Sequence, residues 1–147
     1  MSGSKPVTIV MIEDDEGHAR LIEKNIRRAG VTNEIMAFSG GLPALDYLLG
    51  PDGTGAVQNG RTLLVLLDLN LPDMSGIDIL SRIRSSKCIA RVMVIVLTTT
   101  DDPREVQHCF SLGANVYVPK PMQYDRFVEA IRQLGLFMSV MALPEVG

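Results

Sequence analysis

Residues 63–76 read LLVLLDLNLPDMSG. The aliphatic run Leu63–Leu67 stops abruptly at Asp68. A short run apolar at every position suits a strand covered by helices on both faces, which is the environment of a parallel sheet. Val7–Ile12 (VTIVMI) and Val92–Leu97 (VMVIVL) share that character, with Glu34–Phe38 (EIMAF) and Asn115–Val118 (NVYV) as weaker examples. Helical periods lie between them. Ala19, Ile22, Ile26 and Ala29 recur at helical spacing before a Gly30 stop. Leu42, Leu45, Leu48 and Leu49 follow Gly40-Gly41, and Ile77, Leu80 and Ile83 follow Gly76. Val106 and Phe110 follow Asp102-Pro103, an N-cap with proline at the first helical position. Phe127, Ile131, Leu134 and Met138 follow Pro121. Strict alternation of five strands and five helices predicts the α/β class: a (βα)5 doubly wound, five-stranded parallel sheet in a single domain. Gly50–Thr62, with four glycines and a proline, is expected to be a surface loop.

Composition narrows the function. The 147 residues are 46% hydrophobic and 21% charged, enough for a core and unlike a disordered chain. Fourteen Lys+Arg against 17 Asp+Glu leave a net charge of −3, which argues against a nucleic-acid footprint. Cys88 and Cys109 cannot form a disulfide framework and are expected to be half-buried reduced thiols. No signal peptide is visible. The longest uncharged tract near the C-terminus, Gln133–Pro144, is twelve residues long, short of the roughly 20 needed to span a bilayer. A cytoplasmic protein without a membrane partner is the expectation.

The chemistry gathers where the apolar runs end. The first ends in Glu13-Asp14-Asp15, the third in Asp68-Leu69-Asn70, the fourth in Thr98-Thr99-Thr100 and the fifth in Lys120-Pro121. Open α/β sheets bind ligands outside the carboxyl ends of their strands. If strands one, three, four and five lie side by side, these groups converge. Clustered carboxylates repel unless cations intervene. With oxygen ligands and no His or Cys, Mg²⁺ is favoured over Zn²⁺, with Mn²⁺ as an alternative. A divalent ion beside a carboxylate and a lysine suits phosphoryl transfer, the carboxylate acting as nucleophile.

The set MIEDD, LLDLNLPDMSG, VLTTTDD and GANVYVPKP resembles the CheY-like receiver (response regulatory) domain of two-component response regulators, over residues 5–138. The resemblance implies that Asp68 is the phosphoacceptor and that Asp14 ligates Mg²⁺ directly, with Glu13 reaching it through water. Asn70 would ligate through its backbone carbonyl, leaving its side chain free. Thr98 would be the switch hydroxyl, Tyr117 its aromatic partner, and Lys120 the phosphate contact, with a cis bond between Lys120 and Pro121. Two departures stand out. Glu13 replaces a more usual Asp, and Thr99 stands where a smaller residue is usual and is expected to crowd the phosphoryl pocket.

The resemblance also implies partners: a sensor histidine kinase, a downstream phosphotransfer protein, and a second copy of the chain. The homodimer is expected through the face of the fourth helix, fifth strand and fifth helix, together with the tail 139–147. Leu134, Leu136, Phe137, Met138, Val140, Met141 and Leu143 exceed what one buried stripe requires. LFMSVMALPE resembles in particular the short single-domain regulators paired with phytochrome-type kinases. No DNA-binding effector is expected, nor enzymatic turnover beyond self-catalysed phosphotransfer and dephosphorylation. Three rivals compete. A flavodoxin-like cofactor binder needs a phosphate loop where EDDEG stands, and a haloacid-dehalogenase phosphatase needs an acid where Asn70 stands. A metal-free pseudo-receiver scaffold would lack one of the acids or the lysine, and all are present. Asp15 and Glu16 are expected to cap the first helix, and Asp73 to be a turn residue.

Overall fold

The computed structural model describes residues 7–28, 30–50, 62–86, 92–98 and 102–119, with the single positions 129 and 132. Strands β1 (Val7–Ile12), β2 (Ile35–Phe38), β3 (Thr62–Leu67), β4 (Met93–Thr98) and β5 (Val116–Pro119) alternate with helices α1 (Glu16–Arg28), α2 (Gly41–Leu49), α3 (Gly76–Ser85) and α4 (Pro103–Ser111). The five expected strands and the first four expected helices form, with ends shifted by a residue or a few. The predicted fifth helix, the 51–61 segment, the C-terminal tail and the Lys120-Pro121 bond lie outside the described residues.

The sheet order is β2-β1-β3-β4-β5, with every pair parallel. Side chains alternate across a strand, so each apolar run feeds both faces. Val10, Ile12, Leu63, Val65, Leu67, Val94 and Val96 pack on one face beneath α2, α3 and Cys109 of α4. Ile9, Met11, Leu64, Leu66, Ile95 and Leu97 pack on the other, against Ile22 and Ile26 of α1. Helices on both faces make the sheet doubly wound, as the alternation predicts. Fully burying one such side chain contributes roughly 1.5–3 kcal/mol.

Local chemistry sets the helix starts. Asp15 Oδ1 accepts from His18 N–H at 2.9 Å, capping α1. Ser75 Oγ accepts from Ile77 N–H at the start of α3, and Asp102 Oδ1 from Arg104 N–H at the start of α4, where Pro103 opens the helix. Gly40 has no side chain to cap α2. Cys109 is fully buried rather than half-buried, because α4 turns it into the core. Burial and the nearby Glu105 carboxylate push its thiol pKa up. Cys88 lies outside the described residues. Among the described residues no helix is long and apolar enough to cross a membrane.

Candidate functional site

The strand order reverses between β1 and β3, and a doubly wound sheet opens its ligand crevice at such a switch point. Register brings the acids to it. Ile12 of β1 pairs with Leu67 of β3, so Glu13 and Asp68 are the next residues out on neighbouring strands. Asp68 N–H donates to the Ile12 carbonyl at 3.0 Å, and Glu13 N–H to the Phe38 carbonyl at 3.0 Å. Carboxylate oxygens of Glu13, Asp14 and Asp68 all lie within 4.8 Å of one another. Glu13 and Asp68 are buried, at 5% and 6% exposure, while Asp14 faces solvent.

Three charges at that spacing repel by on the order of 1 kcal/mol per pair even in water. The donors are hard oxygens on one buried floor with one open side. That fits a divalent cation such as Mg²⁺ or Mn²⁺, which prefers carboxylates and keeps waters on its exposed face. Glu13 Oε2 also accepts from Asp15 N–H at 3.1 Å, which holds the longer side chain in place.

Thr98 ends β4 beside β3 and is fully buried. The expectation of a free Asn70 side chain is corrected here. Asn70 Nδ2 donates to Thr98 Oγ1 at 3.4 Å, because the Asn70 N–H folds back onto Asp68 Oδ1 at 3.1 Å and turns the side chain toward β4. Tyr117, on β5, is half-buried, and its ring lies 6.4 Å from that of Phe110, an exposed aromatic on α4. Lys120 and Thr99 lie outside the described residues.

The loop from Asp68 to α3 closes on itself. Gly76 N–H donates to the Leu69 carbonyl at 2.9 Å, and Asn70 and Ser75 form an antiparallel bridge. A Cβ at Gly76 would sit 2.6 Å from the Asp68 carbonyl oxygen and from Leu69 Cα, so only glycine permits this closure. Asp73 at the loop's apex does more than turn the chain. Its carboxylate accepts from Gly41 N–H and Leu42 N–H, each at 2.8 Å, and caps α2 from a different part of the fold. Those two bonds hold its pKa below the ordinary aspartate range. The signal for this was the Gly40-Gly41 helix start, which lacks a cap of its own. An open depression bordered by Asp14, Asn70, Leu71, Pro72, Asp73 and Met74 lies at the mouth of the site.

The sequence profile of the family described as "Response regulator receiver domain" matches residues 9–132. A response regulator receiver domain from Rhodospirillum rubrum is 65% identical and superposes with a TM-score of 0.88, covering 95% of this chain and 98% of that one. Response regulator Rcp1 of Synechocystis is 28% identical over 141 residues, 95% of this chain and 94% of Rcp1. The solved Mn²⁺-bound form of Rcp1 superposes with a TM-score of 0.79 at 25% identity, covering 90% of this chain and 94% of that one. The phosphorylated cyanobacterial phytochrome response regulator RcpA gives a TM-score of 0.79 at 25% identity, covering 96% and 99%.

Proposed function

This chain belongs to the response regulator receiver family, and from that premise we propose that it accepts a phosphoryl group on Asp68 from the phosphohistidine of a sensor histidine kinase, with Mg²⁺ as cofactor. The observation that carries the reading is the convergence of Glu13, Asp14 and Asp68 at the β1/β3 switch point beside the buried Thr98 hydroxyl. A carboxylate oxygen of Asp68 forms the new P–O bond as the P–N bond to the donor imidazole breaks, and the departing nitrogen takes a proton from solvent. Glu13, Asp14, Asp68 and the Asn70 carbonyl would hold the ion, which when bound supplies positive charge to the transferring phosphoryl oxygens. Lys120 contributes a second positive charge to the acyl phosphate.

Thr98 then turns its hydroxyl toward the phosphoryl group. In the unphosphorylated chain that hydroxyl accepts from Asn70, and at 3.4 Å the bond is weak. Its loss costs on the order of 1 kcal/mol or less, small beside a charge-assisted bond to phosphate. The exchange shifts the population of the β4–α4 loop and re-poses Tyr117 against Phe110. Output follows through protein contact or onward phosphotransfer, with a homodimer formed by α4, β5, the fifth helix and the tail 139–147. The resemblance to the phytochrome response regulator RcpA supports a phytochrome-type kinase as the donor, and the reading places the exchange in the cytoplasm.

Phosphotransfer from such a kinase to wild type and to Asp68→Asn, with Mg²⁺ and with EDTA, tests the reading. Label is expected on wild type with Mg²⁺ and at background in the other arms. Label on Asp68→Asn means another acceptor, and no label on wild type in any arm means a scaffold.

A further inference from the structure

We propose that Asp73 is a positioning residue for the cation-binding loop, holding the Asn70 segment in register with the β1 acids by docking it onto the start of α2. The inference rests on the receiver reading above, and it adds a residue that touches neither ion nor phosphate. The loop 69–76 is tied internally at its base, through Gly76 N–H to the Leu69 carbonyl and the Asn70–Ser75 bridge. Those bonds fix its shape, and Asp68 N–H to the Ile12 carbonyl ties its root to β1, which leaves the position of the Asn70–Asp73 arm to be set. The two 2.8 Å bonds from Gly41 and Leu42 to Asp73 supply that position.

The docking is tight. A Cβ on Gly41 would sit 2.5 Å from Met74 Cγ and 2.7 Å from Ile79 Cδ1, and one on Gly40 would sit 3.0 Å from Asp73 Oδ2. The Gly40-Gly41 pair, which leaves α2 without a cap of its own, is therefore also what lets the loop approach. The start of α2 is in turn tied to the acids, since β2 ends at Phe38, whose carbonyl accepts from Glu13 N–H. A closed circuit of contacts results: Glu13 to Phe38, the α2 start to Asp73, and the loop back to Asp68, whose N–H binds Ile12. Opening it at Asp73 frees the loop that presents the Asn70 carbonyl while leaving every acid in place.

The test compares Asp73→Ala, Asp73→Asn and, as a stability control in the distant α1 core, Ile26→Val. In the metal-free proteins, amide hydrogen exchange at Asn70, Gly41 and Leu42 should quicken in Asp73→Ala and stay unchanged in Ile26→Val. Mg²⁺ affinity, read from amide chemical shifts, should fall about 10-fold in Asp73→Ala, in line with other residues that orient metal ligands. Asp73→Asn keeps one acceptor oxygen and should lose less. Removal of charge alone predicts equal losses in both variants that fade in high salt, and that result overturns the proposal. Wild-type affinity in Asp73→Ala, or an equal loss in Ile26→Val, overturns it as well. Failure of wild type to bind Mg²⁺ removes the functional reading and this inference together, whereas normal wild-type binding with a silent Asp73 removes only the inference. If Asp73→Ala does not fold, the Asn variant against wild type carries the test.

Discussion

The two ends of the sheet differ in the charge their polar side chains gather. At the amino end they bind backbone. Asn33 Nδ2 donates to the Val7 carbonyl at 2.7 Å, and Asn115 Oδ1 accepts from Val94 N–H at 2.8 Å. Arg84, in the last turn of α3, donates to the carbonyls of Gly113 and Val92 and to Asn115 Oδ1. Each of these bonds closes a connection between a helix and the next strand. At the carboxyl end three carboxylates crowd within 4.8 Å of each other, on a floor that is mostly buried. Like charge held together by the backbone costs stability, and nothing in helix or strand formation requires it there. The polar groups at the amino end complete the fold, whereas the acidic cluster at the carboxyl end fits a ligand that brings positive charge.

The sharpest way to break that comparison is to exchange the two kinds of defect. Arg84→Ala should lower unfolding free energy by about 2–3 kcal/mol, since it leaves the Gly113 and Val92 carbonyls without their cationic donor. Measured in urea, that loss should come with unchanged phosphorylation of the folded fraction. Asp68→Asn should do the reverse, abolishing phosphorylation while holding or raising stability by relieving repulsion. A large stability loss in Asp68→Asn, or none in Arg84→Ala, would erase the contrast.

A second measurement sharpens it. If the carboxyl end awaits a cation, Mg²⁺ at about 100 times its dissociation constant should stabilise wild type by about 2.7 kcal/mol. Asp14→Asn should lose most of that gain, seen as a smaller rise in thermal midpoint, while Arg84→Ala should keep it. An equal Mg²⁺ effect in all three proteins would mean the ion acts elsewhere.

The smallest effect concerns pH. The Gly41 and Leu42 bonds lower the Asp73 pKa below its ordinary value. A lowered folded-state value means that the carboxylate's contribution is complete above the unfolded value of about 3.9 and is lost as pH falls through the lower folded one. Wild type should therefore lose more stability than Asp73→Asn between pH 5 and the acid limit, in urea titrations at stepped pH. Parallel curves would show that the carboxylate's charge does not strengthen the α2 cap.

Much of this was legible in the residues, for a definable reason. Apolar runs such as Leu63–Leu67 and Val7–Ile12 have one arrangement that buries both their faces, and the groups ending them must then share an edge. Hence β1, β3 and β4 and the acids Glu13, Asp14 and Asp68 could be read directly. What escaped involves bonds between parts of the chain about 30 residues apart. Asp73 reads as a turn residue in LPDMSG, yet its partners are Gly41 and Leu42. The Asn70 side chain reads as idle, yet it reaches Thr98 across the β3–β4 pair. Arg84 carries no linear signal, because the Gly113 and Val92 acceptors it reaches are backbone carbonyls that every residue has.

The residues alone therefore decided the class of fold and the chemical character of its carboxyl edge, since hydrophobic periodicity and charge are local properties of the chain. Only the folded molecule decided which strands became neighbours around the switch point, how closely the three acids approach, and that a carboxylate in the loop after β3 caps a helix of another segment. Those are matters of distance through space, set by sheet order and packing, and no spacing along the chain encodes them.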